Sequence, residues 1–230
     1  MTPLLEASAL FKGFPRGEGV VEVLHDCDLS LAEGESVAIM GPSGSGKSTL
    51  LNVLTGLDRP DGGRVAWRGT DLLSLKADQV SRWRRDELGF IFQFHFLMPD
   101  LTALENLLVP VRLRRTPNAD DVESARTLLD HMGLADRRDH LPGELSGGEQ
   151  QRVAVARAFM NEPSLVMADE PFGNLDRDKG LELADLLFER ARRLGAGLVV
   201  VTHDPGLAAR ADRTLVLTDG RLAARDEVQA

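Results

Sequence analysis

The chain has one cysteine in 230 residues, no tyrosine at all, and only 5% aromatic residues. A lone thiol closes no internal disulfide and builds no cysteine-based metal cluster, so Cys27 reads as a small buried hydrophobe in a protein of a reducing compartment. Cations are also scarce: 27 Lys and Arg stand against 36 Asp and Glu, for a formal net charge of −9. That sign opposes a polyphosphate backbone and weighs against nonspecific binding to DNA or RNA. No apolar run reaches the roughly eighteen residues that span a bilayer. The opening segment MTPLLEASALFKGF has neither the basic start, the long apolar stretch nor the small-residue cleavage site of a secretory leader. The expectation is a soluble chain that serves a membrane, if at all, through partners that span it. Low-complexity tracts, internal repeats and Pro- or Gly-rich linkers are missing as well, so one continuous unit is expected.

What is present is a series of short apolar runs that each end in polar residues. Ser36 to Met40 meets a Gly-rich turn, after which Leu50, Val53, Leu54 and Leu57 recur at helical spacing. Leu165 to Ala168 stops at Asp169 and Glu170, and Leu198 to Val201 stops at Thr202 and His203. Thr214 to Leu217 runs into Asp219-Gly220, a hairpin signal. Runs of this kind suit a parallel sheet covered on both faces, because ligands bind beyond the carboxyl ends of such strands. Residues 95–160 break the rhythm with two helical patterns, LTALENLLVPVRL and DVESARTLLDHMGL. An inserted helical lobe accounts for that length better than a long unstructured loop.

Residues 41–49, GPSGSGKST, fit the phosphate-binding pattern G-x-x-x-x-G-K-[ST]. Gly41, Gly44 and Gly46 permit the backbone angles that turn successive N–H groups of Pro42-flanked Ser43, Ser45 and their neighbours toward an anion, and the following helix directs its positive end at the same point. Lys47 is expected to reach the β and γ phosphates, Ser48 to ligate Mg²⁺, and Thr49 to complete the loop. A carboxylate ending a buried strand, Asp169, is placed to hold the Mg²⁺ through its waters. Glu170 beside it is placed to polarise the water that attacks the γ phosphate.

A second anion nest occurs at 145–150, LSGGEQ, where Ser146, Gly147, Gly148 and Glu149 open a helix. Two nests with one phosphate loop pose a question. LSGGEQ resembles the signature motif of the ATP-binding-cassette (ABC) ATPase family, and the resemblance runs in the family's order over nearly the whole chain. It implies ATP and Mg²⁺ as ligands, ATP hydrolysis as the activity, and a head-to-tail homodimer in which the signature of one subunit closes over the ATP on the phosphate loop of the other. It also implies the fold: an α/β P-loop NTPase core with a RecA-like parallel sheet, an N-terminal antiparallel β portion, and an inserted α-helical subdomain. The whole of 1–230 is then one domain, with core at 1–94 and 161–230 and the helical subdomain at 95–160. Under the same resemblance Gln93 senses Mg²⁺ and the attacking water, Asp176 in GNLD (173–176) reaches across the dimer, and His203 contacts the γ phosphate. An aromatic stacks on adenine, either Phe14 or Phe11.

The stretches FQFHFLMPDLTALENL (92–107) and EPFGNLD (170–176) are similar to the ATPase subunits of lipoprotein-releasing systems, which extract lipoproteins from the bacterial inner membrane. Phe172 departs from that pattern, which usually has threonine there. The similarity implies a peripheral position on the cytoplasmic side of the inner membrane and transmembrane permease subunits docking near Phe94, Phe96, Leu97 and Met98, although these four could equally be core. Related subunits of macrolide-type exporters, and of cell-division complexes that regulate periplasmic hydrolases, remain alternatives. Neither heptads nor a cysteine cluster supports a DNA-repair head.

Overall fold

A computed structural model describes residues 2–17, 19–173 and 175–225. The chain begins with two long antiparallel strands, β1 (Leu5–Arg16) and β2 (Gly19–Leu31). They join β4 (Gly62–Trp67) and β5 (Thr70–Asp71) in a four-stranded sheet of order β2-β1-β4-β5. A second sheet has the order β10-β9-β3-β8-β7-β6. Its members are β3 (Ser36–Met40), β6 (Leu88–Ile91), β7 (Leu165–Asp169), β8 (Gly197–Val201), β9 (Arg213–Thr218) and β10 (Arg221–Ala224). All its pairings are parallel except the β9–β10 hairpin. This is the α/β P-loop architecture that the sequence implies.

The parallel strands read as continuous apolar runs because both of their faces are covered. On β7, Leu165 and Met167 enter one buried cluster while Val166 and Ala168 enter the other. On β8, Val199 and Val201 face the first cluster and Leu198 and Val200 the second. The first cluster is shared with the antiparallel sheet, with α1 (Lys47–Leu54) and with Trp83 of α2 (Ala77–Glu87). The second is shared with α3 (Ala103–Arg112), α4 (Ala119–His131), α5 (Gly147–Ala158) and α6 (Arg177–Leu194). A short α7 (Pro205–Ala208) adds Leu207 to it.

Local chemistry explains the boundaries. Thr102 and Glu105 form a capping box at the start of α3, as do Asn118 and Asp121 at the start of α4. The helix expected from Leu50 through Leu57 is shorter than that spacing suggests. α1 ends at Leu54, and Gly56 turns the chain with φ 65°, which leaves Leu57 52% exposed outside the helix. At the other end of the chain, Asp219 (φ 48°) and Gly220 (φ 73°) form the expected two-residue hairpin turn, both left-handed. The Gly220 carbonyl accepts from the His25 amide (2.6 Å) and from the Cys27 thiol (2.8 Å). Cys27 is thus a buried residue on β2, and burial pushes its thiol pKa up.

Candidate functional site

Strand order assembles the site. Because β3, β8 and β7 are neighbours, the phosphate loop after Met40, Thr202 and His203 after β8, and Asp169 and Glu170 at the end of β7 emerge side by side at one edge of the sheet. Register fixes their heights: Ile39 pairs with Val201 and Asp169 with Val201, while the Thr202 amide donates to the Ile39 carbonyl at 3.1 Å. A cleft of about 690 Å³ opens there, lined by Phe14, Val23, Ser43, Gly44, Gly46, Lys47, Ser48, Thr49, Gln93, Asp169, Glu170 and His203.

The loop's glycines are required by geometry. Gly41 has φ 155°, and a Cβ on it would lie 2.3 Å from the Leu217 carbonyl oxygen of β9. Gly46 has φ 98° as the cap of α1, where a Cβ would meet Val23 at 2.7 Å. Lys47 is buried, and its ammonium donates to the carbonyls of Gly41 (3.0 Å) and Pro42 (2.8 Å). The cation therefore lies folded over the loop's hollow, where an anion can draw it off those neutral acceptors. Ser45 shapes the loop from within, its Oγ buried and 2.9 Å from where a Gly41 Cβ would stand.

The carboxylates differ in their surroundings. Burial raises the Asp169 pKa, the Ser48 hydroxyl bonded to it and the Lys47 charge lower it, and the Glu170 charge raises it. Asp169 Oδ1 is buried without a hydrogen-bond partner. Hard oxygens from Ser48 and Asp169, one of them unsatisfied, suit Mg²⁺. The described residues hold no group of three or more His, Cys, Asp or Glu able to bind a metal alone, so phosphate, water and a neutral oxygen such as that of Gln93, which lines the same cleft, would complete the set. Glu170 takes the uncommon φ of 44°, held by its amide donating to Val201 (3.0 Å). Its Oε2 lies 2.8 Å from Nδ1 of His203, whose side chain is otherwise exposed.

The aromatic alternatives separate. Phe14 lines the cleft, with the Lys12 ammonium 5.2 Å from its ring centroid. Phe11 instead packs edge-on to His25 (6.3 Å) and over Gly62. Val23, which lines the cleft against Gly46 of the loop, carries no sequence signal, being one more valine on a β-strand.

LSGGEQ lies elsewhere. Among the described residues none of 145–150 lines the phosphate-loop cleft. Ser146 caps α5, with Gly147 and Gly148 in its first turn and Glu149 closing a capping box. Asp176 stands at the N-cap position of α6 without a side-chain cap hydrogen bond, exposed and 3.5 Å from Lys179, and does not line the cleft either. Asn174 of the GNLD stretch lies outside the described residues. Phe172 is buried against the helical cluster, close to Gly180.

The segment after Gln93 divides. Phe94, Phe96 and Met98 are 60%, 65% and 48% exposed, whereas Leu97 packs against the core. Phe96 has a left-handed φ of 45°. Arg157 of α5 holds the loop, donating to the carbonyls of His95 and Phe96 at 2.8 Å each. His95 itself hydrogen-bonds the backbone of Gly147, and burial lowers its imidazole pKa. Sequence reading gave neither contact, since both join residues more than fifty positions apart.

The profile of the ABC transporter family matches residues 24–173. The lipoprotein-releasing system ATP-binding protein LolD of Shewanella sp. (strain MR-4) is 47% identical over 221 residues, 96% of each chain. LolD of Geobacter metallireducens is 47% identical over 97% of this chain and 100% of its own. Among solved structures, the ATP-binding cassette MJ0796 in a dimeric post-hydrolysis state bound to ADP and Pi superposes with a TM-score of 0.88 at 37% identity, over 96% of this chain and 98% of that one. The chain belongs to the ABC transporter family, as one of its ATP-hydrolysing subunits.

Proposed function

We propose that the chain powers lipoprotein release from the inner membrane, as the ATPase subunit of a complex whose permease subunits span the bilayer. Similarity over nearly its entire length to proteins named for that system carries the reading. No described helix is long and apolar enough to cross a membrane. On the likeness to LolD proteins, this subunit is peripheral, on the cytoplasmic side of the inner membrane, and the work on lipid falls to its partners. Phe94, Phe96 and Met98 form the exposed apolar platform on which a permease helix docks. The division into a core (1–94 and 161–230) and a helical subdomain (95–160) belongs to the same reading, since the platform stands where the two meet.

Phe14 stacks on adenine, the amides of 41–49 enclose the phosphates, and Lys47 leaves the Gly41 and Pro42 carbonyls for the β and γ oxygens. Ser48, Asp169 and Gln93 would hold Mg²⁺, which when bound neutralises charge on the β and γ phosphates. Glu170 accepts a proton from the attacking water, and His203, oriented through Nδ1 by Glu170, is left with Nε2 for the γ phosphate. Ser146, Gly147, Gly148 and Glu149 serve the ATP of the partner subunit, with Asp176 at the seam, because a head-to-tail homodimer gives the second nest a ligand.

The shared site is tested by mixing Ser146→Arg with Lys47→Ala. A mixed dimer has one doubly defective site and one intact site, so ATPase activity should return; no recovery in demonstrated mixed dimers overturns the shared site. Cargo is tested by depleting the chain in cells: lipoproteins should stay in the inner membrane, and an unchanged distribution rejects the assignment.

A further inference from the structure

Arg137 belongs to no motif, yet it touches the signature. It ends the short turn Ala135–Arg137 between α4 and α5, and its Nε donates to Oε1 of Glu149 at 3.0 Å. The other oxygen of that carboxylate, Oε2, accepts from the Ser146 amide (2.8 Å) and from the Ser146 hydroxyl (2.7 Å). Ser146 has a single O–H, and in the free subunit Glu149 takes it.

A capping box needs only an acceptor at its third position, and glutamine supplies one as well as glutamate does. Glutamate adds a negative charge. Bonds from the Ser146 hydroxyl and amide, and then from Arg137, hold the Glu149 carboxyl below the usual carboxylate range, so it is anionic at neutral pH. An anion in the first turn of α5 suits the helix in isolation but opposes a polyphosphate arriving at the same amides. The arginine beside it cancels that charge.

We propose that Arg137 is a positioning residue of the shared nucleotide site: it neutralises Glu149 and holds its Oε1, so that the Ser146 hydroxyl can turn from Oε2 to the phosphate of the partner subunit's ATP. Oε2 keeps the Ser146 amide meanwhile, and the cap of α5 survives the change. The inference rests on the reading that Ser146 serves a nucleotide held by the other subunit. A role in fold stability does not account for the pair, because its side chains are 45% and 28% exposed, and pairs so exposed contribute little.

The experiment uses the full chain and MgATP. Arg137→Ala should raise the KM for ATPase activity and the ATP concentration needed for dimerisation about three- to fivefold at low salt, an effect that shrinks at high salt. Affinity of the monomer for a fluorescent ATP analogue, and the melting temperature, should stay at wild-type values. Arg137→Lys should recover most of the loss, and Arg137→Ala should add nothing further when made on top of Glu149→Gln, measured against Glu149→Gln alone, since the charge to be cancelled is gone. A wild-type KM in Arg137→Ala, or a defect that Glu149→Gln leaves in place, overturns the proposal. Ser146→Ala in the same assay separates the layers. A defect there beside a normal Arg137→Ala defeats this inference alone, whereas a normal Ser146→Ala defeats the shared site and the inference with it.

Discussion

Nδ1 of His203 lies 2.8 Å from Oε2 of Glu170, although the two residues follow different strands, β8 and β7, and Glu170 itself has a left-handed φ of 44°. The pair joins the proposed base to the group that faces the γ phosphate. Glu170→Gln keeps the shape and loses the basicity. It should bind ATP nearly as the wild type does, slow hydrolysis at least about a hundredfold, and accumulate as an ATP-bound dimer. Single-turnover hydrolysis at a near-normal rate would remove Glu170 from that role.

The phosphate loop makes a contrast between two of its glycines. Gly41→Ala places a methyl 2.3 Å from the Leu217 carbonyl, where backbone must move, whereas Gly44→Ala meets nothing within 4 Å and pays only for its φ of 79°. Left-handed backbone costs an alanine about 1–2 kcal/mol, so Gly44→Ala should melt roughly 2–8 °C lower. Gly41→Ala should fall further or fail to fold. Equal melting temperatures would show that β9 does not limit the loop.

The platform predicts unequal neighbours. Phe94→Ser and Phe96→Ser remove exposed rings and should leave the melting temperature within a degree or two while reducing recovery of the permease complex. Leu97→Ser removes a side chain packed on the core and should cost about 2 kcal/mol, or roughly 4–8 °C. Uniform destabilisation with unaltered complex recovery would refute a docking role.

Exposure alternates here, with Phe94, Phe96 and Met98 outward and Leu97 inward, but the segment forms no strand, so no local pattern announces that alternation. The strands and the phosphate loop were legible for the opposite reason: β3, β7 and β8 have fixed geometry, and a glycine pattern with lysine leaves few alternatives. Leu57 misled because helical spacing continues past Gly56, where the backbone stops. Only the fold shows that Phe14 and not Phe11 lines the cleft, since they stand three positions apart and β-bulges disturb the pairing of β1 between them. Arg137 and Arg157 act through contacts whose partners no local pattern names.

Phe14→Ala should weaken ATP binding about five- to a hundredfold if its ring stacks on the base. Phe11→Ala should leave affinity within twofold, by fluorescence titration. A larger loss from Phe11 would reassign the base.

Asp212 supplies a pH prediction. Its carboxylate accepts from the Ser36 hydroxyl (2.7 Å) and amide (2.8 Å), joining the starts of β3 and β9, and these bonds hold its pKa below the usual range. A pKa depressed in the folded state adds stability that is complete above the ordinary carboxylate value of about 3.9 and is lost as pH falls through the folded one. Asp212→Asn should therefore melt about 2–4 °C lower at pH 7, corresponding to roughly 1 kcal/mol after allowance for solvent exposure. The difference from wild type should narrow in acid, and a constant difference down to pH 3 would contradict it.

The carbonyl beneath Gly41 belongs to Leu217, and the strands flanking β3 are β8 and β9. The phosphate loop is thus translated well before the strands on either side of β3, one of which lies directly beneath Gly41. A ribosome-bound chain that has not yet reached Gly197 has all of GPSGSGKST but neither of the two strands that flank β3 in the sheet. Long-range closure of this kind makes folding slow. Competence for ATP should appear in one step, once β8 and β9 have been made.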